Sequence, residues 1–217
     1  MSNPQSWNRY SYVTNRPIIL SDPTGHDPII TFLILIAATF ILTACDSSSA
    51  YEGLTPRQTE IQKLIDKEDY QGAIDQAVEL YDIDTHDVKP NYGELEDGTT
   101  GLTYPYGGEW DENDNYVGGY VGLIIGKDAF KSPDILVDTL AHEYVHVERF
   151  QKGLWSRTDD GKALREVEAY DRIASRQDEL ELSDKATVSD RDNRNWYYDS
   201  LPTSLKKRID AGIYDLP

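Results

Sequence analysis

The sequence predicts an α+β fold between Leu54 and Pro217, on three observations. Two stretches, Leu54 to about Tyr81 and Ser132 onward, carry apolar residues at helical spacing behind recognisable capping residues. Between them, residues 83–127 are rich in Gly, Tyr, Asp and Asn and alternate in short runs, as strands do. At 217 residues the chain has room for one domain with a core plus appendages, and hardly for two full domains.

Composition narrows the function classes. Asp and Glu outnumber Lys and Arg 39 to 21, leaving a formal charge of −18 with no basic cluster to interrupt it. A phosphate-binding surface would have to be built against that field, so nucleic acid is not an expected partner. Cys45 is the single cysteine, so the rest of the chain has neither a disulfide framework nor a cysteine-based metal site.

Residues 1–28 show no period that runs far before a Pro or Gly interrupts it, and alone they are not expected to fold. The run Arg9-Tyr-Ser-Tyr-Val-Thr-Asn-Arg-Pro17, followed by Asp22-Pro-Thr-Gly25, resembles the end of the core of Rhs/YD-repeat proteins. There, Tyr-x-Tyr-Val-x-Asn-x-Pro leads to Asp-Pro-x-Gly at the border between a β-repeat shell and a variable C-terminal toxin. The resemblance covers only about a tenth of the chain. It implies that residues 1–28 are the remnant of such a shell, that the chain beyond them is a bacterial effector's toxin, and that a cognate immunity protein is its partner.

Residues 29–44, "IITFLILIAATFILTA", form a run without one charge, slightly shorter than the ~20 residues that span a bilayer. Three readings fit residues 29–45: a membrane-inserting segment of a secreted effector, a lipoprotein signal, or a buried helix. Leu42-Thr43-Ala44-Cys45 and the Ser-rich tether after it fit the lipoprotein pattern. Against it, the only upstream positive charges, Arg9 and Arg16, lie far from the apolar run. The choice between a membrane-associated effector and an envelope lipoprotein stays open here. Residues 46–53 read as a linker to the domain spanning 54–217.

The domain begins as an ordinary helix. Thr55 can cap it, Pro56 suits the first position, Gln58 completes a capping box, and Ile61, Leu64 and Ile65 form an apolar stripe. A second helix through "YQGAIDQAVELYDI" turns Ala73, Ile74, Ala77, Val78 and Tyr81 inward. The pair resembles one tetratricopeptide unit but has no second copy, so it reads as packing. "GLTYPYGGEW" and "NYVGGYVGLIIG" read as strands joined by the acidic turn Asp111–Asn115. That turn begins like a calcium loop, but Tyr116 and Gly122 stand where such a loop needs Gly and Glu.

Ser132 and Pro133 mark the start of a further helix and Gly153 its stop, which places "HEYVH" within a helix over Asp134–Lys152. Positions i and i+4 are about 40° apart around the axis and about 6 Å along it, so His142 and His146 can aim at one point. That is the bite of a tetrahedral Zn²⁺. Glu143 can reach the same side without binding the ion and accept a proton there. Two helical histidines can also be an accident, but half of the chain's 4 histidines lie in this one motif. A third ligand is available where a new helix is expected to begin near Lys162. Glu166 stands on it, with nineteen residues between it and His146, enough to close one helix, turn and cross it with a second.

His142-Glu143-x-x-His146 with a downstream Glu166-x-x-Ala169 resembles the gluzincin metallopeptidases, of which thermolysin is one. The resemblance implies a zincin-like fold, zinc held by His142, His146 and Glu166, Glu143 as the catalytic base, and a protein or peptide substrate. Many peptidase-like toxins attached to Rhs proteins carry a similar Glu-x-Glu-Ala-Tyr string. Glu168 departs from a clean match as a second carboxylate on nearly the opposite helix face. Glu166 is preferred because it shares a face with Ala169, Tyr170 and Ile173; Arg165 and Arg172 could instead pair with either glutamate on a solvated face. No oxyanion stabiliser can be assigned, and Tyr170 reads as core packing. "GYVGLIIGKDAF" is the candidate edge strand for pairing with substrate, or else a plain core strand. The last helix, "TSLKKRIDAG", is expected to pack on the outside. Two other classes remain: an envelope lipoprotein carrying the same peptidase domain, and a non-catalytic binding module with zinc as a staple or without it.

Overall fold

The computed structural model describes residues 51–216. The shell-like leader, the apolar segment and Cys45 lie outside the described residues. Among those described, no helix is long and apolar enough to cross a membrane.

Among the described residues the fold is α+β, six helices and two small sheets. Helix α1 (Pro56–Ile65) starts as its sequence predicts: Thr55 accepts from the Gln58 amide, and the Gln58 side chain accepts from the Thr55 amide at 3.1 Å. Asp69 caps α2 (Tyr70–Leu80), which buries Ala73, Ile74 and Ala77 completely.

The sheet differs from the sequence reading. Strand β1 (Asn91–Tyr92) was not foreseen, and the two expected strands each divide, giving β2 (Gly101–Tyr106), β3 (Glu109–Trp110), β4 (Tyr116–Val117) and β5 (Tyr120–Ile125). The cause is the pair of double glycines. Gly119 has φ +75°, and a Cβ there would lie 2.4 Å from the Tyr106 carbonyl oxygen, so the chain turns off the main sheet at that point. β3 and β4 pair with each other as a separate hairpin, and Asp111 accepts from the Asn113 and Asn115 amides at its tip. The acidic turn therefore spends a carboxylate on its own backbone.

In the main sheet the order is β1-β5-β2, with β5 parallel to β1 and antiparallel to β2. Of the two readings of this segment, edge strand or core strand, the structure gives the core strand: β5 is central, and Val121, Leu123 and Ile125 bury one face of it. Among the described residues the far edge of β2 has no partner strand.

A 3₁₀ turn (Lys127–Lys131) leads into α3 (Pro133–Gln151), one residue offset from the expected bounds and ended by Gly153 at φ +72°. This helix runs through the core: Leu136, Val137, Leu140 and Val147 are fully buried among α1, α2 and β5. Helix α4 (Asp159–Ala174) begins three residues before the expected Lys162, where Thr158 caps it by accepting from Gly161. Helix α5 (Asp184–Ser200) went unforeseen. Its one buried residue is Asp190, so it presents no apolar stripe to read, and it lies along α4 through the Arg194–Asp171 ion pair and a stack of Tyr197 on Tyr170. Helix α6 (Thr203–Asp210) closes a second small core, Leu205 and Ile209 against Ala163, Leu164 and Val167 of α4.

Candidate metal centre

Helix α3 sets His142 and His146 one turn apart, with ring centroids 4.7 Å apart and planes perpendicular. Helix α4 crosses close by, and its Ala169 is fully buried at the crossing. Glu166 is carried to both imidazoles: its Oε2 lies 3.1 Å from His142 Nε2 and its Oε1 3.3 Å from His146 Nε2. One donor atom from each of the three side chains lies within 4.8 Å of the others, the one group of three metal-ligating side chains so arranged among the described residues.

A metal fits this group. Bonds of ~2.0–2.1 Å in a tetrahedron put neighbouring donor atoms about 3.3 Å apart, and Glu166 comes within 3.1 and 3.3 Å of the two rings, through a different carboxylate oxygen for each. Two imidazoles and a carboxylate are borderline-hard donors, suited to zinc among biological ions. Burial alone would lower the His142 pKa, but the Glu166 carboxylate outweighs it and pushes His142 up to about 9. Burial likewise works against ionised Glu166, yet hydrogen bonds and charge from the two histidines hold its carboxyl below the usual range. Without an ion, a proton on His142 bridges to Glu166; a cation would take that proton's place.

Glu143 is buried beside the histidines, and sequence reasoning missed what holds it. Thr103 on β2 donates its hydroxyl to Glu143 Oε2 at 2.6 Å. Two residues earlier on the same strand, Gly101 leaves the carboxylate room: a Cβ there would lie 2.7 Å from Glu143 Cγ and 2.8 Å from Thr139 Cγ2. Local sequence carries no signal for this contact, since the partners stand 40 positions apart.

The second glutamate is occupied elsewhere. Glu168 is buried between Arg149 of α3, which it pairs directly, and Arg172, 2.5 Å away. Neither glutamate lies on a solvated face. Arg165 pairs with neither; it stacks 4.3 Å over the Trp155 ring and donates to the Ser156 carbonyl.

Tyr170 does not disappear into the core. Its ring stands 4.7 Å from that of His142, on the wall of a cleft of about 640 Å³ that opens along α3 past His142, Glu143 and Asp138. Tyr197, stacked on Tyr170, and Asp190 of α5 also line it. Burial raises the pKa of both tyrosines, so each phenol stays a hydrogen-bond donor. Asp190 was missed with α5 itself. No family model, curated protein or solved structure matches the chain.

Proposed function

We propose that the chain is a zinc-dependent peptide hydrolase of zincin-like fold, serving as the toxin domain of an Rhs-type bacterial effector. The observation that carries the chemistry is the convergence of Glu166 on His142 and His146, which brings one donor atom from each of the three side chains within 4.8 Å of the others. Three protein donors leave a fourth position for water or substrate, as a catalytic site requires and a structural one does not. The toxin setting rests on the resemblance of residues 9–25 to the Rhs border, and a cognate immunity protein goes with it.

Zinc held there supplies Lewis-acid chemistry toward a carbonyl and toward water. Everything else falls to side chains. Glu143 accepts the proton of the attacking water at one carboxylate oxygen and returns it to the leaving amine, while Thr103 fixes the other oxygen. Tyr170 and Tyr197 supply donors on the cleft wall for the charge that develops on the carbonyl oxygen. The unpaired edge of β2, beside Glu143, is where an extended peptide would add as a further strand.

Elemental mass spectrometry of the 217-residue chain tests the reading. Wild type should carry about one zinc, and His146→Ala or Glu166→Ala should lose it. Glu143→Gln should keep the zinc and lose peptide cleavage. A wild type that takes up no zinc on reconstitution would leave a pair of helical histidines and a binding module.

A further inference from the structure

Among the described residues, strand β2 has one side paired with β5 and one side open. The N–H and C=O of a strand residue point to one side, and the sides alternate along the chain. Ile125 of β5 accepts from the Gly93 amide, on the side of β1, while the next residue, Gly126, donates to the Thr100 carbonyl, on the side of β2. Ile125, Leu123 and Val121 therefore turn toward β1. Their register partners Gly101, Thr103 and Pro105 turn their backbone groups away from β5, to the open edge.

That edge is short. Pro105 has no N–H to offer an incoming strand. At the other end the Thr99 amide is committed to the Glu96 carbonyl at 3.0 Å and the Gly98 amide to Asp128. Gly101 and Thr103 remain as the donors between, and both stand against Glu143: Thr103 through its hydroxyl, Gly101 by lacking the Cβ that would meet Glu143 Cγ at 2.7 Å. A strand added here passes beside that carboxylate.

Side chains of an added strand alternate. Those across from Gly101 and Thr103 face inward, toward Glu143; those across from Leu102 and Tyr104 stand with them on the outer face. There Leu102, Tyr104 and Tyr106 are exposed, and their register partners on β5, Ile124, Gly122 and Tyr120, carry no charge. Gly122 lets the Tyr104 ring lie across the sheet, since a Cβ there would stand 2.5 Å from its Cζ, and the Tyr106 ring follows at 5.9 Å between centroids. Such a stripe stabilises a large apolar or aromatic cross-strand neighbour and gives an acidic one no partner.

We propose that the open edge of β2 receives the peptide substrate as an added strand over a footprint closed by Thr99 and Pro105, and that Leu102 and Tyr104 select a large apolar or aromatic side chain in it. That the peptide is a substrate rests on the metallopeptidase reading; the footprint and its selectivity do not.

The probe is acetyl-Ala-Phe-Ala-Phe-Ala-amide, whose alternation can set both phenylalanines on the outer face, and its counterpart carries Ser for Phe. Each is titrated by calorimetry into the full chain with Glu143→Gln, reconstituted with zinc so that it binds without turnover, and zinc content is measured on every sample. The Phe peptide should bind about fivefold tighter, the size of two cross-strand pairs. Adding Leu102→Ser or Tyr104→Ser, both at exposed positions, should remove most of that preference. Methylating one alternate set of peptide amides should abolish binding and methylating the other set should not, because only one set faces β2. Lengthening the peptide by two residues at each end should tighten binding about threefold more when Pro105→Ala supplies the missing amide.

No binding, equal binding of the two peptides, an undiminished preference in the folded serine variants, or indifference to methylation of either set overturns the proposal, and an equal gain from length with and without Pro105→Ala overturns the boundary at Pro105. If no sample holds zinc yet the Phe peptide binds through Tyr104, the peptidase reading fails and the footprint stands. If zinc is held and the wild type cuts a peptide library with no enrichment of large apolar or aromatic residues, the peptidase reading stands and the selectivity fails.

Discussion

Thr103 Oγ1 donates a 2.6 Å hydrogen bond to Glu143 Oε2, tying the edge strand β2 to the buried carboxylate that stands between the two histidines in sequence. The bond orients Glu143 and leaves a single oxygen for proton transfer. Thr103→Val keeps the shape and removes the donor, so turnover on a peptide should fall about 10–100-fold with zinc content unchanged, as for other groups that orient a catalytic side chain. Undiminished turnover in the valine variant would mean that Glu143 is held by packing alone.

Gly101 governs the same carboxylate through space rather than bonding. A methyl group there meets Glu143 Cγ and Thr139 Cγ2 at 2.7 and 2.8 Å, so strand or side chain must move. Gly101→Ala should cost about 1–3 kcal/mol in denaturant unfolding, the range for overpacking, and should lower turnover more than zinc content. An unchanged unfolding midpoint would show that β2 shifts freely at this end.

Contacts of this kind divide the features that sequence could announce from those it could not. Helices α1 to α4 were legible because each buries an apolar stripe, behind a capping side chain in α1, α2 and α4 and behind Pro133 in α3, and the His142/His146 pair was legible because its spacing is a property of one helix. Helix α5 was hidden, since the residue it buries is Asp190. The central place of β5 was hidden too, because strand order is settled by pairings such as Asn91↔Ile124 that no local pattern records. Thr103 and Gly101 belong to the same class, and so does the cleft, whose walls come from α3, α4 and α5.

Zinc uptake should release protons. In the metal-free protein, Glu166 holds His142 protonated to about 9, well above the usual imidazole range, and a histidine that binds zinc must give up that proton. At pH 7 binding should therefore displace about one proton from His142, and zinc affinity should rise with pH until about 9. The same raised value means that this proton stabilises the metal-free fold fully below about 6.5, the unfolded pKa, and that the contribution is lost as pH climbs through 9. Calorimetry in buffers of different ionisation enthalpy counts the proton. A zinc-binding heat that does not vary with the buffer would contradict the His142–Glu166 pairing.

Asp138 should shape stability in the opposite sense. Burial and then Asp190 raise its pKa from 3.8 to about 7, so between those values the unfolded chain gives up its proton while the folded one keeps it. Folding stability is lost across that window as pH rises. Asp138→Asn removes the penalty and should gain on the order of 1–2 kcal/mol at pH 8, with little change at pH 4. Urea unfolding at the two pH values decides it: an equal effect at both would mean that the two aspartates do not share the strain.

Glu166 and Glu168 stand two residues apart on α4 yet should fail in opposite ways. Glu168 sits between the guanidinium groups of Arg149 and Arg172, and removing it strands the buried Arg149 charge, which otherwise donates to the Tyr214 carbonyl at 3.2 Å. Glu168→Ala should therefore cost about 3–5 kcal/mol of stability, while the fraction that folds keeps its zinc. Replacing Arg149 and Glu168 together by methionine should cost less than the single change, because no unpaired charge remains. Glu166→Ala should do the reverse: it removes an acceptor on which two histidines converge, so zinc is lost while the arginine cluster and most of the folding energy survive. Zinc content and unfolding free energy measured on the same three proteins separate the roles. A folded Glu168→Ala protein without zinc would move the third ligand from Glu166 to Glu168.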